Sequence, residues 1–160
     1  MAAPRKKTAT RKPAAKAKPA AKAKPVRKVA AAKPAAVQAR WTKPLPPSLV
    51  AAVKALDEKK AEQIRVIELG PISSVADYFV LATGTSDPHL RALRIELDRA
   101  LEESGSRVRG IEAQKESGWV VVDAFDILFH LFRPDQREAF RLDALWKEGV
   151  EVPLPAILAS

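Results

Sequence analysis

Residues 118–146, GWVVVDAFDILFHLFRPDQREAFRLDALW, read as two adjoining strands followed by a helix. Residues 120–122 and 127–131 are apolar and rich in β-branched and aromatic side chains, with a break between them. A two-residue turn at Ala124-Phe125 would set Asp123 opposite Asp126, Val121 opposite Leu128 and Trp119 opposite His130, on one side of a sheet. Val120, Val122, Ile127, Phe129 and Leu131 then form an uninterrupted apolar side. One side reads as core; the other carries an aromatic–imidazole pair and two carboxylates. Two observations temper this register. Ala-Phe lacks the Gly or Asn that a tight hairpin turn favours, and a Trp opposite a His is also an ordinary packing pair.

Composition sets the outer bounds. A chain of 160 residues holds one ordinary domain and an appendage. It has no cysteine, which excludes disulfides, thiolate metal sites and cysteine nucleophiles. No apolar run approaches the roughly 18 residues that span a bilayer, and the N-terminal stretch lacks an apolar signal core, so a cytoplasmic location is expected and no membrane partner. The net charge of +9 is unevenly placed. Residues 1–48 hold fourteen of the 28 Lys/Arg and none of the nineteen Asp/Glu, a charge of +14; residues 49–160 carry the rest, a net −5.

Residues 1–47 are Ala, Lys and Pro with few large apolar side chains, and KPAAKA repeats from Lys12 and again from Lys18. Proline at that spacing breaks helices and nothing there can bury a core, so a disordered basic arm is expected. Its charge attracts nucleic acid without reading sequence; the plainer reading is a solubilising tail. Trp41, alone near the junction, is a candidate for tacking the arm to the domain.

The domain is expected over residues 48–150, with a tail at 151–160 that shows no clear element. Ser48 is a candidate N-cap for a helix over 48–60. A strand over 64–69 ends at Gly70-Pro71, and a second strand covers 78–82. Ser86 caps the next helix, whose stripe is Leu90, Leu93, Leu97, Ala100 and Leu101 and whose stop is Gly105. A short strand over 107–112 follows, parallel to the second strand through a helical crossover. After the hairpin, a helix over 135–149 gathers Ala139, Leu142, Leu145 and Trp146 on one stripe and leaves Phe140 outside it as a contact candidate. The fold class is α/β, a five-stranded mixed sheet flanked by helices.

Catalytic readings find little support. The Thr83–His89 segment, TGTSDPH, feeds a helix N-terminus, yet one Gly and no following Lys fall short of a phosphate-binding loop. Asp123 and Asp126 could hold a divalent cation as in a nucleotidyl transferase, but no third acidic ligand and no Gly-Ser signature accompany them. Ser86, His130 and Asp123 lack a nucleophile-elbow pattern. No catalytic residue, metal or cofactor is expected.

Four blocks resemble the ribosomal silencing factor (Iojap-related) family: LDEKKAEQIRVIEL at 56–69, SSVADYFVLATGTSDPH at 73–89, GWVVVDAFDILFHLF at 118–132 and REAFRLDALW at 137–146. Their order and spacing match the family and cover nearly the whole domain, with the arm outside. The resemblance implies a nucleotidyl-transferase-like sandwich without an active site. It implies a non-catalytic protein, often a homodimer when free, that binds the large ribosomal subunit through ribosomal protein L-fourteen. Occupying the face that meets the small subunit would block joining and lower translation when nutrients are scarce. The family's surface motif falls on Trp119, Asp123, Asp126, His130, Phe132, Arg137, Phe140 and Trp146. This chain departs from it in three places. Ala124-Phe125 replaces an aromatic and a Gly between the two Asp, so that Phe125 supplies the aromatic one residue later. Ala139-Phe140 replaces an aromatic pair, and Asp143 replaces a Glu. An aromatic patch with an acidic rim suits a basic ribosomal protein, and the arm would add affinity for ribosomal RNA. Removing residues 1–45 is therefore expected to leave the unfolding midpoint nearly unchanged, while binding to purified large subunits weakens and loses much of its salt dependence.

Overall fold

The computed structural model describes residues 43–113 and 117–160. The expected disordered arm, Trp41 included, lies outside the described residues up to residue 42. Two proline-initiated helices open and close the described chain. Helix α1 spans Pro47–Glu58 and α5 Leu154–Leu158. Between them run β1 (Glu62–Glu68), a 3-10 turn (Gly70–Ile72), β2 (Tyr78–Thr83), α2 (Asp87–Glu103) and β3 (Gly110–Ala113). Then come β4 (Trp119–Ala124), β5 (Ile127–Phe132), α3 (Pro134–Phe140), α4 (Leu142–Leu145) and β6 (Val150–Val152). The six strands form one mixed sheet in the order β3-β4-β5-β2-β1-β6.

The expected α/β class holds, with one strand more than expected. The tail accounts for it: β6 pairs antiparallel with β1, and Val152 and Ile157 are buried in the main core. A three-residue strand and a five-residue helix carry too little periodicity to be legible in sequence. β2 is buried along its whole length, as an apolar strand covered on both faces must be. Its direct parallel neighbour is β5. β3 does run in the same direction as β2, but β4 and β5 lie between them.

One face of the sheet packs on α1, α2 and α5. The α2 stripe is buried as expected, Ser86 Oγ accepts the His89 N–H at 3.3 Å, and Gly105 stops the helix at φ 78°. At α1 the cap is Pro46 with Pro47 in the first turn, which displaces Ser48 from the expected N-cap. Leu45 packs against the same core, so a truncation meant to be silent must stop before it, at residue 42 and not at 45.

The hairpin differs from its expected register by one turn position. Trp119 faces Phe132, Val121 faces His130 and Asp123 faces Leu128, with Phe125-Asp126 as the turn. Moving the turn by one residue moves each partner by two, so the strand side chains stay on their expected faces, while Asp126 leaves its expected place opposite Asp123 for the turn. Hydrogen bonds decide the choice. Asp123 Oδ1 accepts the Phe125 N–H at 3.0 Å, and the Asp126 carbonyl accepts from the N–H groups of Asp77 (2.8 Å) and Tyr78 (3.0 Å). Phe125 is held at φ 61°, in the left-handed region that favours Gly.

The expected helix over 135–149 is two helices broken at Arg141, which sits in the left-handed region (φ 48°, ψ 38°). Ala139 and Leu145 are consequently exposed rather than on a buried stripe. Beyond the break, Gly149 passes close to β1: a Cβ there would fall on Ile67 Cγ2 and lie 3.1 Å from the Glu68 carbonyl oxygen. The backbone oxygen cannot easily yield, so Gly149→Ala is expected to lower stability by about 1–3 kcal/mol in urea unfolding.

Candidate functional site

The face of the sheet opposite α1 and α2 carries a continuous aromatic layer. Strand alternation places Trp119 of β4, His130 and Phe132 of β5 and Phe79 of β2 on it. Trp119 stacks on Phe132 and His130 with centroids 5.6 and 5.9 Å apart, and Phe79 meets His130 edge-on at 5.3 Å. α3 and α4 lie over this layer. Phe140 covers Trp119 at 4.7 Å, and Trp146 meets Phe79 at 4.8 Å in a T-shaped contact. Phe132 is buried, Trp119 and Trp146 are half-buried, and Phe140 remains 47% exposed. The layer thus grades from core to surface within one connected set of rings.

His130 is part of that layer. Trp119 Nε1–H donates to His130 Nδ1 at 3.3 Å, which leaves the imidazole proton on Nε2, and Nε2 has no partner among the described residues. Burial lowers the His130 pKa from 6.5 to about 4. An imidazolium there would have to shed its water against aromatic rings.

Arg137 holds α3 and α4 in place from the interior. Only 8% exposed, it donates from Nε and Nη2 to the two Asp143 carboxylate oxygens at 3.0 and 2.7 Å. Its Nη1 donates to the Gln63 carbonyl (2.7 Å) and to Thr83 Oγ1 (2.9 Å). Arg65 donates to the same Asp143 at 2.9 Å and pairs with Glu151 of β6. Burial by itself would raise the Asp143 pKa, but the donors from Arg137 and Arg65 outweigh it and hold the carboxyl below its ordinary value. Arg137 is thus a positioning residue, and its guanidinium is not a surface contact.

The nine expected site residues fall into three groups. Trp119, His130, Phe132, Phe140 and Trp146 come together in the aromatic layer, and Arg137 anchors the helices over it. Asp123, Phe125 and Asp126 lie at the opposite end of the hairpin. Asp123 lies four residue steps along β4 from Trp119, about 13 Å of strand, and the turn is about 20 Å away. Asp123 is engaged by the turn backbone, while Phe125 is 54% exposed. Among the described residues no group of three or more His, Asp or Glu forms a cation cage. Sequence reasoning missed Phe79, which links His130 to Trp146; its place in a continuously apolar strand gave no sign of which face it would take.

The buried imidazole has a thermodynamic consequence. Between pH 6.5 and about 4 the unfolded chain binds a proton that the folded chain refuses, so stability falls as pH drops through this window and levels off below it. His130→Phe removes that proton, so relative to the unsubstituted protein its stability should rise by on the order of 3 kcal/mol between pH 7 and 4. Urea unfolding of both proteins across this range checks the sign; a constant difference would show that His130 does not titrate differently on folding.

Residues 42–159 match the family model described as ribosomal silencing factor during starvation. The chain is 38% identical over 98 residues to the ribosomal silencing factor RsfS of Bacillus subtilis, covering 61% of this chain and 83% of that one. It is 32% identical over 97 residues to the mouse protein named mitochondrial assembly of ribosomal large subunit protein 1, covering 59% of this chain and 42% of that one. A crystal structure of a Bacillus halodurans protein superposes with a TM-score of 0.58 at 32% identity, over 66% of this chain and 95% of that one. A family match spanning all but the arm, on a sheet of the same architecture, places this chain in the ribosomal silencing factor family.

Proposed function

We propose that this protein represses translation by docking on the large ribosomal subunit, with ribosomal protein L-fourteen as its protein partner, and by sterically preventing the small subunit from joining. The observation that carries this reading is the aromatic layer. Six rings are connected from the core outward, and Phe140 is half exposed over Trp119. Aromatic anchors on a rigid support are what a tight interface needs, because little side-chain entropy is lost on binding. The names of the relatives support the same target. One is a ribosomal silencing factor, and another is named for assembly of the large ribosomal subunit.

The free protein is a cytoplasmic homodimer in this reading, and it acts without turning over a substrate. Asp123 and Asp126 contribute by charge at the far end of the hairpin. At about 13 Å or more from Trp119 they exceed the ~8 Å screening length of physiological salt, so they affect the rate of encounter more than the docked contact. Among the described residues no helix is long and apolar enough to cross a membrane.

Sedimentation with purified subunits tests the proposal: the protein should migrate with large subunits and reduce the formation of whole ribosomes. Migration with small subunits alone, or undiminished joining at saturation, would refute it. Phe140→Ala and Trp119→Ala are each expected to weaken docking by about 2 kcal/mol or more. Phe140 is the cleaner test because its exposure limits the effect on folding. Full docking by both folded variants would move the contact surface away from the aromatic layer.

A further inference from the structure

One guanidinium holds both ends of the segment that carries Trp146. Arg65 Nη1 donates to Asp143 Oδ1 at 2.9 Å, while its Nε and Nη2 donate to the two carboxylate oxygens of Glu151 at 3.2 and 2.9 Å. Asp143 lies in α4 ahead of Trp146, and Glu151 is the middle residue of β6 beyond it. The chain between the two carboxylates leaves the aromatic layer, turns and returns to the sheet edge, and Arg65 of β1 meets it at both points.

The strand register puts these groups on the face that carries the rings. Arg65 is paired with Leu81, and Glu151 with Ile67. Leu81 and Ile67 both belong to the smaller core cluster, against which Leu142 and Trp146 pack. Side chains opposite one another across a sheet share a face, so the Arg65–Glu151 pair borders that cluster at the β1–β6 edge.

Little else fastens the segment. The Gly149 N–H donates to the Trp146 carbonyl at 3.2 Å, a bond inside the segment, and among the described residues no backbone bond joins residues 146–149 to the sheet. Trp146 is half-buried against Phe79, and Leu145 beside it is exposed. A segment with so few ties opens locally unless its ends are fixed, and the cost of ordering it then falls on binding. The Arg65 side chain is 33% exposed and that of Glu151 57%, and ion pairs of such exposure add little to global stability. Their effect is geometric: two points of the segment are fixed against one strand, a task for a planar fork rather than for the point charge of an ammonium.

We infer that Arg65 is a positioning residue for docking: it clamps the segment from Asp143 to Glu151 so that Trp146 is set on Phe79 before a partner arrives. The inference rests on the docking reading and deepens it, because β6, at the edge of the sheet, becomes part of the recognition machinery.

Indole NMR on the free full chain, joined to sedimentation with purified large subunits, tests this. The Trp146 signal is assigned by its loss in Trp146→Phe. In Arg65→Met that signal should move toward its unstructured position, because the indole spends less time on Phe79. The Trp119 signal should stay in place and report an intact fold. The shift measures the fraction of molecules with the segment closed. Docking should weaken in proportion to that fraction, by about twofold to fivefold for the loss of half-exposed pairs. Arg65→Lys keeps the charge without the fork and should follow Arg65→Met in both readouts. An unmoved Trp146 signal in Arg65→Met overturns the clamp, whatever docking does. A shifted signal with undiminished docking overturns the positioning role. Full recovery of both readouts in Arg65→Lys would reduce Arg65 to its charge and overturn the fork. An unsubstituted chain that does not migrate with large subunits refutes the docking reading instead, and the indole shift then still decides the clamp.

Discussion

The fork between Arg137 and Asp143 holds the cover of the aromatic layer together. These residues are six apart, and in a continuous helix six residues correspond to about 600° of rotation, which leaves their side chains on different faces. A bidentate contact with both oxygens is possible only if the chain turns between them, and it turns at Arg141. The fork therefore explains the break, and the break sets α3 and α4 as two short pieces over the aromatic layer. Because the guanidinium also satisfies Gln63 and Thr83, the same side chain joins this cover to the irregular start of β1 and the end of β2. Removing Asp143 would leave the buried guanidinium without its carboxylate, a loss bounded above by the about 3–5 kcal/mol typical of fully buried pairs because Asp143 itself is part-exposed.

The two faces of the sheet are finished differently. One is closed by the long stripe of α2, the length of α1 and the final helix, and it holds most of the core. Among the described residues the other is covered by two short helices, and its smaller cluster leaves Trp119 and Trp146 half open. An under-covered aromatic face is a liability in solution and an asset for docking, which is the physical basis for assigning recognition to it. His130 belongs to the same compromise: its ring packs like an aromatic residue, while its unpartnered Nε2 carries a polar cost that an apolar ring would avoid.

The hairpin turn gives a second case of local preference yielding to context. Neither Ala-Phe nor Phe-Asp is favourable turn chemistry. The choice between them came from outside the hairpin, through the Asp126 carbonyl that receives two N–H groups from the start of β2. Phe125 stays in the left-handed region as a result, exposed at a position where Gly would be easier.

The sequence by itself determined the α/β class, the faces of β4 and β5, the capped and stopped α2, and the family. Each rests on local signals: strict alternation, a helical stripe of leucines, Ser86 and Gly105 at the helix ends, and motif blocks in order. It also brought Trp119, His130, Phe132 and Phe140 into one candidate surface, because strand parity survives a shift of the turn by one residue. Only the tertiary structure decided the hairpin register, the break at Arg141, the interior place of Arg137, the role of Phe79 and the sixth strand. Those depend on hydrogen bonds and packing between residues far apart in the chain, such as Arg137 with Gln63 and Val152 with Val66. No window of local sequence holds both partners of such a contact, so its geometry appears only when the chain is folded.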